Sequence, residues 1–137
     1  MKKIISNNKG ITGVDLTIGI IVLTLYTGII ISLMSRSYQL SKEIQMSANA
    51  MSYATIILEK VDEKAYEDID ANFVSKLQSS GEVKMSSDYT IDFSTEELEK
   101  DLFKKVKVSV KYNLNGETKS LVINKLKIKE IYKEWKI

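Results

Sequence analysis

The chain has 137 residues and a formal net charge of +2, with no cysteine, no histidine and no proline. These absences remove disulfides, thiolate chemistry and most structural zinc sites, together with the commonest general base and metal ligand. The length fits one ordinary domain, and the near-neutral balance does not point the chain as a whole toward nucleic acid.

The first ten residues, MKKIISNNKG, are polar and basic, with Lys2, Lys3 and Lys9. From Ile11 to Met34 the only charged residue is Asp15. At about 1.5 Å rise per residue this run exceeds the roughly 20 residues that cross a bilayer core. It is also longer than the apolar region of about 7–15 residues in a secretory signal, and no A-x-A site follows it. The lysines ahead of it orient the N-terminus to the cytoplasm and the remainder outward.

The next stretch, SRSYQLSKEIQMSANAMSYATIILEKVDEKAY, holds neither glycine nor proline. Leu40, Ile44, Ser47, Met51, Ala54, Leu58, Val61 and Ala65 recur at alternating spacings of four and three, a heptad-type stripe widened by Tyr53 and Ile57. The pattern predicts one unbroken helix from about Ile11 to about Tyr66, apolar all round in its inner half and amphipathic in its outer half.

Beyond it, DANFVSKLQSSGE reads as a short helix or loop closed by a turn at Gly81. In DYTIDF, Tyr89, Ile91 and Phe93 alternate as in a strand. Ser94 and Glu97 stand at capping-box spacing and predict a short helix over STEELEKDLFKK. In VKVSVKY, Val106, Val108, Val110 and Tyr112 alternate with polar residues, and Asn115-Gly116 signals a hairpin into KSLVIN. Leu121 and Ile123 point inward in that strand. A change of parity to Leu126 and Ile128 predicts a bulge near Asn124 and Lys125. The tail KEIYKEWKI is ambiguous, with Tyr132 and Trp135 expected to dock on the helix rather than meet a partner.

The expected fold is α+β: a long N-terminal helix packed on a small C-terminal antiparallel sheet. Its divisions are residues 1–10, a leader; 11–34, the transmembrane half of the helix; 35–66, its amphipathic half; and 67–137, an extracytoplasmic globular part. No catalytic constellation stands out. Ser94 has no histidine to activate it, and DEKAYEDIDAN lacks calcium-loop spacing. No metal, cofactor or small-molecule substrate is expected, and the chain does not read as an enzyme.

A basic leader ending in Lys9 and Gly10, a membrane helix opening with Ile11 and Thr12, and an acid at the fifth position of that helix, Asp15, resemble the type IV pilin and pseudopilin superfamily. That family usually has phenylalanine, leucine and glutamate where this chain has Ile11, Gly13 and Asp15, and its major subunits often carry a helix-kinking proline. The departures suit a minor subunit. The resemblance implies cleavage between Gly10 and Ile11 by a prepilin peptidase and methylation of the new amine. It also implies assembly with other pilin or pseudopilin subunits on an inner assembly platform. Asp15 would then meet the N-terminal amine of a neighbouring subunit and set the axial register, a known use of buried polar pairs. The competing reading places Asp15 at headgroup depth, reaching toward water.

Acids cluster at Glu59, Asp62, Glu63, Glu67, Asp68 and Asp70. Lysines crowd the C-terminal part: Lys104, Lys105, Lys107, Lys111, Lys119, Lys125, Lys127, Lys129, Lys133 and Lys136. A solvated strand face is the first reading of the lysines, complementary charge between subunits the second, and DNA phosphates the last. The functional expectation is a structural minor pilin or pseudopilin subunit of a pilus, secretion or competence filament. The alternative is an uncleaved single-pass anchor bearing an extracytoplasmic binding or sensory domain.

Overall fold

The computed structural model describes residues 13–129. The leader, the Gly10–Ile11 junction, Tyr132 and Trp135 lie outside that range. The elements in order are helix α1 (Gly13–Glu63), a 3-10 turn (Tyr66–Asp68), helix α2 (Phe73–Ser79), and strands β1 (Tyr89–Glu99), β2 (Phe103–Leu114) and β3 (Glu117–Ile128). The strands form one antiparallel sheet in the order β1-β2-β3. The fold is therefore α+β, as the sequence patterning predicts. The chain divides into two units, residues 1–42 and 43–137.

In the first unit, the large apolar side chains from Val14 to Met34 are all 40–67% exposed. So wide an uncovered apolar surface is foreign to a water-soluble helix. Threonine hydroxyls within it are satisfied locally. The hydroxyls of Thr17, Thr24 and Thr27 each donate to the carbonyl four residues back (Gly13, Ile20 and Leu23) at 2.8 Å. Intrahelical bonding of this kind is what a helix in lipid requires of its hydroxyls. α1 is long and apolar enough to cross a membrane.

In the second unit, the outer part of α1 buries Ala50, Ala54, Ile57 and Val61 completely. They join the inner face of β2, where Val106, Val108 and Val110 are equally buried, and the α2 side chains Phe73, Val74 and Leu77. Aromatic contacts extend this core. Tyr53 meets Tyr89 edge-on at 5.1 Å between ring centres, and Phe73 lies 5.4 Å from Phe93. α2 ends as glycine permits: Gly81 takes φ of +77°, its amide donates to Gln78 O, and the Glu82 amide donates to Leu77 O. Together these bonds satisfy the last carbonyls of the helix.

Four sequence expectations need correction. The buried line of α1 runs through Ala50, Ala54, Ile57 and Val61, with Met46 half-buried beside it. It meets the expected stripe at Ala54 and Val61 and at Ile57, one of the two residues that widen it, whereas Leu40, Ile44 and Met51 stay 51–60% exposed. Two interleaved apolar lines were present in the outer helix, and the smaller side chains at 50 and 54 let the sheet approach more closely. The helix also stops at Glu63, short of Tyr66, because Ala65 is extended.

Ser94–Glu99 is strand, not helix. The alternation of Tyr89, Ile91 and Phe93 continues through half-buried Thr95, while Glu96 and Glu97 stand opposite Lys105 and Lys104. Cross-strand pairs of opposite charge and a full ladder outweigh one capping box. Finally, β3 has no bulge near Asn124; its register with β2 runs unbroken from Leu114↔Glu117 to Phe103↔Ile128. Lys125 and Lys127 keep the inward parity of Ile123, and Leu126 and Ile128 face the other side, about half exposed. The irregularity falls in β1, between Glu97 and Glu99.

Candidate functional site

Asp15 lies in the first turn of α1 and is exposed. A carboxylate there faces the positive end of the helix dipole. One turn on, Gly19 leaves the helix surface open: a β-carbon there would meet nothing within 4 Å. Gly10 and Ile11, the predicted processing residues, fall outside the described range, as do Lys2, Lys3 and Lys9.

A second locus, at the outer end of α1, joins within one chain the acidic and lysine clusters that the sequence shows apart. Where the helix stops, its final carbonyls need donors, and the sheet supplies lysines. The Lys104 ammonium donates to Tyr66 O at 3.1 Å and Ile69 O at 2.8 Å, and lies 4.3 Å from the centre of the Tyr66 ring. Lys127 donates to Asp62 O at 3.0 Å. Lys125 pairs with the Asp62 carboxylate, and Lys129 with Glu67 at 3.0 Å. Tyr66 closes the cluster from the other side, its hydroxyl 3.3 Å from Glu97 Oε1. Nearer the start of this unit, Lys119 reaches Glu43 at 2.5 Å.

The acidic shoulder and the basic strand are thus complementary within one chain. Lys104 and Lys127 are buried, and their ammonium groups serve as caps for the helix end and the loop behind it. The available signal was parity: Lys104 shares a face with Val106, and Lys125 and Lys127 share one with Ile123. On the opposite face Lys111 pairs with Asp92. Ser94, in a strand, stands across from Lys107. Among the described residues, no buried side-chain nitrogen or oxygen lacks a partner, and no group of acids could hold a metal.

Two carboxyls of this shoulder carry a pH dependence. The hydrogen bond from Lys129 holds Glu67 below the ordinary glutamate range. The bond from Lys76 does the same for Asp70, at 2.7 Å. A carboxyl with a lowered native pKa contributes stability above its unfolded pKa and loses it as pH falls through the native value. Both pairs are exposed, so the effect is small. The double variant Glu67→Gln/Asp70→Asn should have a lower urea midpoint than the parent at neutral pH. The two curves should converge in acid, as read by tyrosine and tryptophan fluorescence of the detergent-solubilised chain. A gap independent of pH contradicts this assignment.

Compared with known proteins, the chain matches no family model, no curated protein and no solved structure.

Proposed function

We propose that the chain is a structural minor pilin or pseudopilin subunit. In this reading it is cleaved between Gly10 and Ile11, methylated on the new amine, and drawn into a filament through α1. The observation that carries the reading is the division of labour along one 51-residue helix. The inner half is apolar, uncovered and interrupted by one acid in its first turn; the outer half supplies core to a small antiparallel sheet. A simple anchor needs only about 20 apolar residues and no carboxylate among them. A helix serving both as anchor and as the spine of an assembly needs length, exposed apolar surface and a device for register. In this role Asp15 meets the amine of the next subunit, and the prepilin peptidase, sister subunits and assembly platform are the partners.

The decisive measurement is the mass of the mature N-terminus, taken from cells with a working processing peptidase. The expected chain begins at N-methylated Ile11. A chain that still begins at Met1 refutes the proposal and favours the uncleaved, membrane-anchored binding or sensory domain.

A further inference from the structure

β2 and β3 are joined by a two-residue turn, since Leu114 pairs with Glu117. The residues between them, Asn115 and Gly116, both have positive φ, 54° and 86°. This is the geometry of the tight turn whose twist suits a hairpin, and it favours Asn-Gly. The same pair brings together reactive groups. The Asn115 carboxamide lies next to an amide nitrogen whose residue has no side chain to shield it. Both residues are exposed, and a β-carbon at Gly116 would meet nothing within 4 Å. That amide is not idle, however: Gly116 N–H donates to Asn113 Oδ1 at 3.0 Å.

We infer that Asn115–Gly116 is a site of hydrolytic modification, deamidation by water, which the Asn113 side chain restrains in the folded sheet. In the reaction, hydroxide removes the Gly116 amide proton. The nitrogen attacks Cγ of Asn115, the bond from Cγ to the carboxamide nitrogen breaks, and that nitrogen takes a proton from water and leaves as ammonia. The resulting five-membered imide takes up water at one of its two carbonyls and opens to aspartate or isoaspartate. The first step must break the hydrogen bond to Asn113, so that bond opposes it.

The consequence reaches beyond the turn. Isoaspartate adds one carbon to the main chain of a two-residue connection, which Leu114↔Glu117 pairing cannot accommodate unchanged. The register of β3 carries Lys119, Lys125 and Lys127 to their partners on α1, and Lys129 follows at its end. Damage at the turn therefore loosens the fastening of the strand to the helix.

The test follows Asn115 in the full chain, held in detergent at mildly alkaline pH. Trypsin releases Tyr112–Lys119, and tandem mass spectrometry of that peptide locates the conversion and distinguishes isoaspartate from aspartate. Asn113→Ala removes the acceptor and should convert about 2- to 10-fold faster than the parent, the range expected for losing one neutral hydrogen bond. Asn113→Asp keeps an acceptor oxygen at the same place and should convert no faster than the parent. Equal rates in all three chains overturn the proposal. So does an Asn113→Asp rate matching that of Asn113→Ala, because loosening of the hairpin rather than loss of the acceptor then accounts for the acceleration.

Discussion

Asp15→Ala is expected to leave the chain inserted in the membrane and cleaved, yet to lower its incorporation into filaments by roughly a hundredfold or more. The two halves of that result have opposite energetic signs. An acid at the centre of a membrane helix costs about 2.5–3.5 kcal/mol on insertion scales, and less near an interface, so alanine makes insertion easier. In the proposed filament the carboxylate faces the ammonium of a neighbouring chain in a water-poor setting. Removing one member of a buried ion pair strands the other, at a cost of about 3–5 kcal/mol. Here the stranded group is the amine of Ile11.

Asp15→Glu keeps the charge on a side chain one carbon longer and should retain most incorporation, which separates loss of charge from loss of packing. The readouts are the membrane fraction, the mass of the processed chain and its abundance in sheared filaments. If Asp15→Ala enters filaments as well as the parent does, the pairing role of Asp15 is wrong.

The second large effect lies in the soluble part. Lys104→Met is expected to lower the urea midpoint substantially and to open the segment between Lys64 and Asn72 before the sheet itself. Lys104 bonds two carbonyls, Tyr66 O and Ile69 O, and is itself buried. Methionine keeps most of the apolar stem and removes the donors. Ile69 O loses its donor, and a buried carbonyl left without a partner costs about 1–3 kcal/mol, while Tyr66 O keeps the Ile69 amide at 3.4 Å. Loss of the cation over the Tyr66 ring adds about 0.5–2 kcal/mol.

The native-state readout is amide hydrogen exchange. Amides around the 3-10 turn and at the start of α2 should lose protection, while those of Val106, Val108 and Val110 change less. An unchanged midpoint with unchanged exchange would mean that water replaces the ammonium at no cost, and that the loop is held by Ile69 and Phe73 packing alone.

Several features of the chain were legible before any coordinates. The apolar run, its single acid and the heptad-type continuation require a long helix, because 3.6-residue periodicity and bilayer length are local properties of the chain. Strict alternation in Val106–Tyr112 and the Asn115-Gly116 signal specify the hairpin for the same reason, and β2 and β3 follow them. The position of Asp15 relative to Gly10 is likewise a fact of sequence, and it carries the proposed assembly role.

What the sequence could not decide was which of two competing local preferences prevails. Ser94 and Glu97 make a good helix start in isolation; they became strand because Lys104, Lys105 and Val106 lie across from Glu97, Glu96 and Thr95. Leu126 and Ile128 point to a bulge only if apolar side chains must face the core, and both are about half exposed. The inward positions went instead to Lys125 and Lys127, whose ammonium groups are matched by Asp62.

The same holds for the outer half of α1, where two apolar lines compete and the sheet covers the one with small residues. Local pattern thus determined the elements, their order and the hairpin. Partner choice was left to tertiary structure, because an ion pair, a capped carbonyl or a buried face exists only once segments distant in sequence meet.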